Sequence, residues 1–168
     1  MQVTVTLTDA DLKLLPSTRK IIVPAPGIGK SLYFHGALIA TNFIGAYAGV
    51  NAAQGIMCLS NGVNTSMAWS SIIANNSTAP AISDLTFLMT NLTPWHWQLL
   101  PAFWQTSSAR PGSAPPTTPL FEMRSDQASQ WENKPISLHM FNSTVIDLTG
   151  GNAANVMKVT ALYSEIVL

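Results

Sequence analysis

The segment Gly27–Ser31 is the part of this chain closest to a known chemical motif, because phosphate-binding loops end in the same Gly-Lys-Ser order. Such a loop also needs a glycine five positions before that triplet, where backbone amides wrap the phosphates. Here the position is Pro24, which has no amide hydrogen and a fixed φ. We therefore interpret the segment as a turn between two strands, with Lys30 exposed.

Residues that hold metals or carry out acid–base catalysis are scattered along the chain. The histidines His35, His96 and His139 have no metal-ligand spacing to another His, Asp or Cys. The single cysteine, Cys58, excludes an intramolecular disulfide and a multi-cysteine metal site. A serine nucleophile turn of the Gly-x-Ser-x-Gly type does not occur, and the eight acidic residues show no pairing. We predict that the protein is not an enzyme and binds no cofactor or metal.

Tryptophan is the remaining candidate for a binding role. Trp95, Trp97 and Trp104 lie close together beside His96, and Trp131 follows. Indole faces stack on sugar rings, so the cluster fits a sugar-binding platform. However, Trp is enriched at protein interfaces, and no group of Asp, Asn and Gln stands beside the cluster to orient sugar hydroxyls. We favour an interface or core role and name these four tryptophans as candidate contact residues.

Alternating apolar and polar residues at both ends of the chain predict strands. Val3, Val5 and Leu7 alternate with polar residues, and a short helix is expected over Asp9–Leu15, with Asp9 as its N-cap. The ranges 136–141 and 157–164 alternate in the same way. Because turn-forming residues lie between these two ranges, they predict a closing antiparallel hairpin.

The rest of the chain predicts an all-β protein. Short apolar runs separated by turn signals recur, and no long 3.6-residue period indicates a helix. The 168 residues fit one domain, 1–168. Residues 1–20 are a possible N-terminal arm, and the Trp- and Pro-rich range 94–119 is predicted to be an irregular insertion loop.

The composition favours assembly over binding to nucleic acid or membrane. Only 10% of the residues are charged, against roughly 25% in typical soluble proteins. Eight basic residues balance eight acidic ones, so no positive field attracts phosphates. The most apolar window, 36–50, is shorter than the roughly 20 residues of a membrane-spanning helix, and the N-terminus does not fit a secretory signal. We predict a protein that is made and kept in solution.

Four segments of strands and turns stand out: Ile21–Lys30 near the start, and Asn133–Leu138, Leu148–Asn152 and Met157–Tyr163 at the end. In these segments the chain resembles the single-jelly-roll decoration or cement proteins of tailed bacteriophage heads. The resemblance implies an antiparallel β-sandwich of jelly-roll type with the 94–119 insertion added. It does not extend to that insertion.

The resemblance also implies a function. Such a protein forms a homotrimer on the outer surface of the icosahedral virion head, where it contacts the major capsid protein and stabilises the shell. It would be made in the host cytoplasm. The insertion leaves a second interpretation open, a tail- or fibre-associated structural protein of a phage that binds host glycans through its tryptophans.

Overall fold

The structure, a computed structural model, describes residues 1–49, 56–61, 74–75, 89, 92, 94–99, 131–141 and 147–168. The elements bounded within these residues are a short helix, α1 (Asp9–Leu14), and ten strands. The strands are β1 (Gln2–Thr8), β2 (Lys20–Val23), β3 (Lys30–Asn42), β4 (Tyr47–Ala48), β5 (Ile56–Ser60), β6 (Ala74–Asn75), β7 (Trp95–Leu99), β8 (Ile136–Phe141), β9 (Thr149–Gly150) and β10 (Val156–Val167). The predicted all-β class is confirmed.

The strands form antiparallel sheets, and strands that are consecutive along the chain are rarely adjacent in a sheet. Sheet I has the order β1-β10-β3-β7, and sheet II has the order β2-β8-β5-β6. A small third sheet pairs β4 with β9. The chain therefore crosses repeatedly between the two large sheets as it runs from β1 to β3 and from β7 to β10.

Both large sheets contribute to one hydrophobic cluster. Alternate residues of β1, β3, β5, β8 and β10 point to it, as the strand pleat requires. The cluster includes Leu7, Ile39 and Val159 from sheet I and Leu59, Leu138 and Met140 from sheet II. Because fully burying one such side chain contributes roughly 1.5–3 kcal/mol, this shared cluster is the main force that holds the sheets together.

Helix α1 begins at Asp9, within the predicted range, but its N-cap lies one residue earlier than the sequence predicts. Thr8, and not Asp9, is the N-cap: its Oγ1 accepts a hydrogen bond from the Asp11 amide, and the Asp11 carboxylate accepts one from the Thr8 amide. This reciprocal capping box satisfies two donors that an uncapped helix would leave unpaired. Pro16 follows the C-cap residue Leu15, consistent with the predicted end of the helix.

The predicted C-terminal hairpin is wrong. β8 and β10 lie in different sheets: β8 pairs with β2 and β5, whereas β10 pairs with β1 and β3. Each strand has only two edges, and all four are already used. The turn-rich segment between them instead supplies β9, which pairs with β4.

Parts of the two segments predicted to be an N-terminal arm and an irregular insertion loop form strands of the sheets. In the predicted arm 1–20, β1 pairs with β10 along its whole length, and Leu7, Leu12 and Leu15 are buried. In the predicted insertion 94–119, Trp95–Leu99 form β7, which pairs with β3. Residues 100–119 lie outside the described residues.

Candidate interaction surface

Sheet I presents a broad face on the side opposite the hydrophobic cluster, which we call the outer face. Strand register fixes its members in four rows across the sheet. The rows are Thr8-Val156-Asn42, Thr6-Lys158-Ala40-His96, Thr4-Thr160-Leu38-Gln98 and Gln2-Leu162-Gly36. The rows between them, such as Val5-Val159-Ile39, point inward to the cluster.

The outer face contains no acidic residue in any of its four rows, and Lys158 is its only Lys or Arg. Threonines and amides make up most of the remainder, and Thr4 and Thr160 share a hydrogen bond between their hydroxyls at 2.9 Å. Leu38 and Leu162 remain 55% and 43% exposed. The face is therefore mostly polar, carries Lys158 as its single charged residue and leaves Leu38 and Leu162 exposed to water.

An open groove of about 500 Å³ crosses the middle of the outer face. Leu38 and Ala40 form its apolar part, Lys158 and Thr160 line it on β10, and His96 and Gln98 line it on β7. It combines an apolar strip with a cation and hydrogen-bonding groups. This composition suits contact with a side chain that carries both an apolar part and an acceptor.

Lys158 differs in its surroundings from the lysines of the other described elements. Lys13, Lys20 and Lys30 form ion pairs with Asp9, Asp11 and Glu165 at 2.7, 2.7 and 3.4 Å. Within the described part of the chain, Lys158 has neither an ion pair nor a side-chain hydrogen bond. Its neighbours across the sheet, Thr6 and Ala40, are both uncharged. The ammonium group is thus available to an external anion.

Asp9 and Tyr47 form a second polar cluster, which is structural. Asp9 Oδ1 and the Tyr47 hydroxyl oxygen are both buried, and neither atom has a partner within hydrogen-bonding geometry among the described residues. Burial is the largest single influence and works against the Asp9 charge, but the hydrogen bond and charge of Lys13, with contributions from Tyr47 and the Asn152 backbone, together outweigh it and lower the pKa of Asp9. Burial raises the pKa of Tyr47, so its hydroxyl stays protonated. The cluster joins α1 to β4.

Cys58 and His139 are the pair closest to a catalytic arrangement, since they are register partners on β5 and β8. Burial raises the pKa of the Cys58 thiol to about 11. Burial, together with the nearby Arg19, lowers the pKa of His139. Both groups are therefore neutral at neutral pH, whereas a nucleophilic cysteine needs a thiolate. The described residues also contain no group of three or more His, Cys, Asp or Glu placed to hold a metal ion.

The tryptophans predicted as contact residues occupy different positions. Trp95 and Trp97 lie on β7, where they are the register partners of Thr41 and Ile39 on β3. Trp131 is half-buried and packs against the hydrophobic cluster. Trp104 lies outside the described residues. The contact role of the four tryptophans stays a prediction.

The outer face was not identified by sequence reasoning, although a signal for it is present. Leu162 occupies a polar position in the alternation of the last strand, and Leu38 is an exposed leucine at the centre of β3. An apolar residue at an outward strand position indicates a surface that something covers. Recognising that both belong to one face requires the strand register.

Comparisons with known proteins identify no relative. No family model matches the chain, and we found no match among curated proteins or solved structures. Among the described residues, no helix is long and apolar enough to cross a membrane.

Proposed function

We propose that this protein is a virion structural protein, a decoration or cement protein that stabilises an icosahedral phage head by contacts with the major capsid protein. The observation that carries the proposal is the nested strand pairing: β1 with β10, β2 with β8, β3 with β7 and β5 with β6. A jelly roll arises when one long antiparallel hairpin wraps into two sheets, and its strands pair in this nested order. The pairing supports the jelly-roll β-sandwich and the resemblance that implies it.

The remaining pairs also fit this fold. β10 pairs with β3 and β8 with β5, which joins the wrapped hairpin into two four-stranded sheets. β4 and β9 are an additional short pair outside this scheme. The shared hydrophobic cluster supports a sandwich arrangement, since sheets that pack face to face bury the inner side of each.

The outer face supports a role in assembly. Charged residues are depleted at the centres of protein interfaces, and this face carries one lysine and no acid. We propose a homotrimer, whose closed symmetry lets each subunit contribute the same weak contact. Several such contacts made at once give a high avidity to the shell without a single strong site.

The experiment that tests the proposal is localisation on the virion. Antibody raised against the purified protein is applied with gold label to particles of the phage that carries this gene. We expect label over the whole head, together with binding of the purified trimer to assembled shells but not to free capsid protein. Label confined to the tail or to one vertex would refute the decoration function and favour the tail- or fibre-associated alternative.

A further inference from the structure

The charge distribution of the outer face, one lysine and no carboxylate in its four rows, favours an acidic partner. Its four rows hold a single lysine and no carboxylate, in a chain that has as many acidic as basic residues. Lys158 lies on β10, the second strand of the sheet, so it stands away from the sheet edge. When an external carboxylate binds Lys158, no ion pair or side-chain hydrogen bond of this lysine among the described residues has to be broken.

Apolar surface lies beside this cation. Leu38 is adjacent to Thr160 in its row, and Ala40 is adjacent to Lys158. Together they give the groove an apolar strip next to a positive charge. A partner that fills it needs an apolar side chain next to a carboxylate.

The backbone at the centre of the groove is already paired. In the two rows that contain Lys158 and Thr160, both edges of β10 and of β3 are paired with neighbouring strands, so an added strand finds no free donors or acceptors there. Recognition at the centre of the groove must therefore come from side chains. A single lysine is also too little charge for nucleic acid, where several phosphates are neutralised at once.

We propose that the outer face of sheet I docks an acidic protein surface, with a partner carboxylate bound by Lys158 and an adjacent apolar side chain seated on Leu38 and Ala40. Gln98 and Thr160 stand beside the groove as hydrogen-bonding groups for the same partner. The inference rests on the proposed function in one respect: on a phage head, the acidic surface belongs to the major capsid protein.

The probe that tests the docking surface is a short capped peptide of alternating Glu and Leu, titrated into the full-length protein and followed by backbone amide NMR. A peptide of alternating Lys and Leu is the counter-probe. We expect shift changes at Leu38, Ala40, Gln98 and Lys158 with the acidic peptide, weakened by added salt because screening reduces exposed charge contacts. Equal binding of the basic peptide, shifts confined to another surface, or no binding would overturn the proposal.

Matched charge reversals localise the contact. Lys158→Glu is expected to weaken binding of the acidic peptide roughly tenfold, because an attraction becomes a repulsion. Lys134→Glu makes the same charge change just before β8 in sheet II and is expected to leave binding unchanged. Leu38→Thr, which keeps a side chain suited to a strand, tests the apolar strip and is expected to weaken binding. Equal affinities for the three variants and the unmodified protein would overturn the proposal.

The same variants separate this inference from the proposed function. If the unmodified protein binds phage shells and Lys158→Glu binds them equally well, the docking surface is refuted while the decoration function stands. If the unmodified protein fails to bind shells but binds the acidic peptide through Lys158, the decoration function is refuted and the docking surface stands.

Discussion

Asn155 holds Gly45 through both atoms of its side-chain amide: Nδ2 donates to the Gly45 carbonyl at 2.6 Å, and Oδ1 accepts from the Gly45 amide at 3.0 Å. The same Oδ1 accepts from the Ile44 amide at 2.7 Å. The Asn155 side chain is completely buried. It therefore fixes the turn between β3 and β4 to the segment just before β10, and this places β4 beside β9.

We expect Asn155→Ala to lower the free energy of unfolding by about 3 kcal/mol, because it leaves three backbone groups without a partner in a buried site. Urea denaturation followed by circular dichroism measures the change. Asn42→Ala, an exposed position at the end of β3, is the control and should change stability little. If Asn155→Ala costs no more than this control, the bidentate contact has no stabilising role.

A comparison of Gly151 with Gly29 distinguishes backbone strain from steric collision. Their φ angles are +72° and +73°, a region that disfavours residues with a Cβ. An added Cβ at Gly29 meets no atom within 4 Å, whereas one at Gly151 would lie 2.5 Å from Tyr47 Cε1 and would also collide with Asp9 Oδ1. A substitution at Gly151 therefore combines backbone strain with a steric collision, whereas one at Gly29 causes backbone strain alone.

We therefore expect Gly29→Ala to destabilise the fold by about 1 kcal/mol through backbone strain alone. Gly151→Ala should cost roughly 1–3 kcal/mol more, because it adds overpacking against Tyr47. Thermal and urea denaturation of the two variants measure the difference. Equal losses would mean that the Asp9–Tyr47 cluster yields easily to the added methyl group.

The sequence predicts most strands at the two ends of the chain because alternation reports which residues are buried. It does not report which strand lies beside which. β8 and β10 were predicted to be partners, yet each is enclosed by strands distant in sequence. A period of two residues defines the faces of a strand and carries no information on its edges.

The candidate surface has the same limitation. Lys158 and Leu162 are visible in the sequence as outward residues of β10. That Lys158 lies next to Ala40 and in the same row as His96 follows only from the register of three strands. That register includes a shift between Leu162 and Tyr163, which no sequence pattern announces.

Acid should weaken the fold through Asp11. The hydrogen bond from Lys20, with its Nζ 2.7 Å from Asp11 Oδ1, is the largest influence that lowers the pKa of this carboxyl, and the Thr8 amide adds to it. A folded-state pKa below the unfolded value means that the charged carboxylate stabilises the fold above the unfolded pKa. This contribution is lost as the pH falls through the folded pKa.

We expect Asp11→Asn to be less stable than the unmodified protein at neutral pH by about 1 kcal/mol, because the capping box is weakened. The difference should shrink on acidification, since the unmodified protein then loses the same charge. Urea denaturation across a pH series checks both statements. A difference that stays constant down to strongly acidic pH would show that the Asp11 charge is not linked to folding.

Cys58 provides a direct readout of opening of the core, because it is the only cysteine in the chain and is 2% exposed. Burial raises the pKa of its thiol to about 11, which keeps it protonated and unreactive at neutral pH. We expect N-ethylmaleimide to label the folded protein far more slowly than it labels the protein in denaturant. Labelling then reports the population of opened molecules.

The destabilised variants supply the controls for this labelling. Gly151→Ala should label faster than Gly29→Ala, with the logarithm of the rate ratio proportional to the difference in their free energies of unfolding, when opening is fast relative to modification. Lys158→Glu, a change on the outer face, should label at the rate of the unmodified protein. Rapid labelling of the folded protein would contradict the burial of Cys58. Equal rates in the two glycine variants, despite different stabilities, would mean that β5 opens locally without global unfolding.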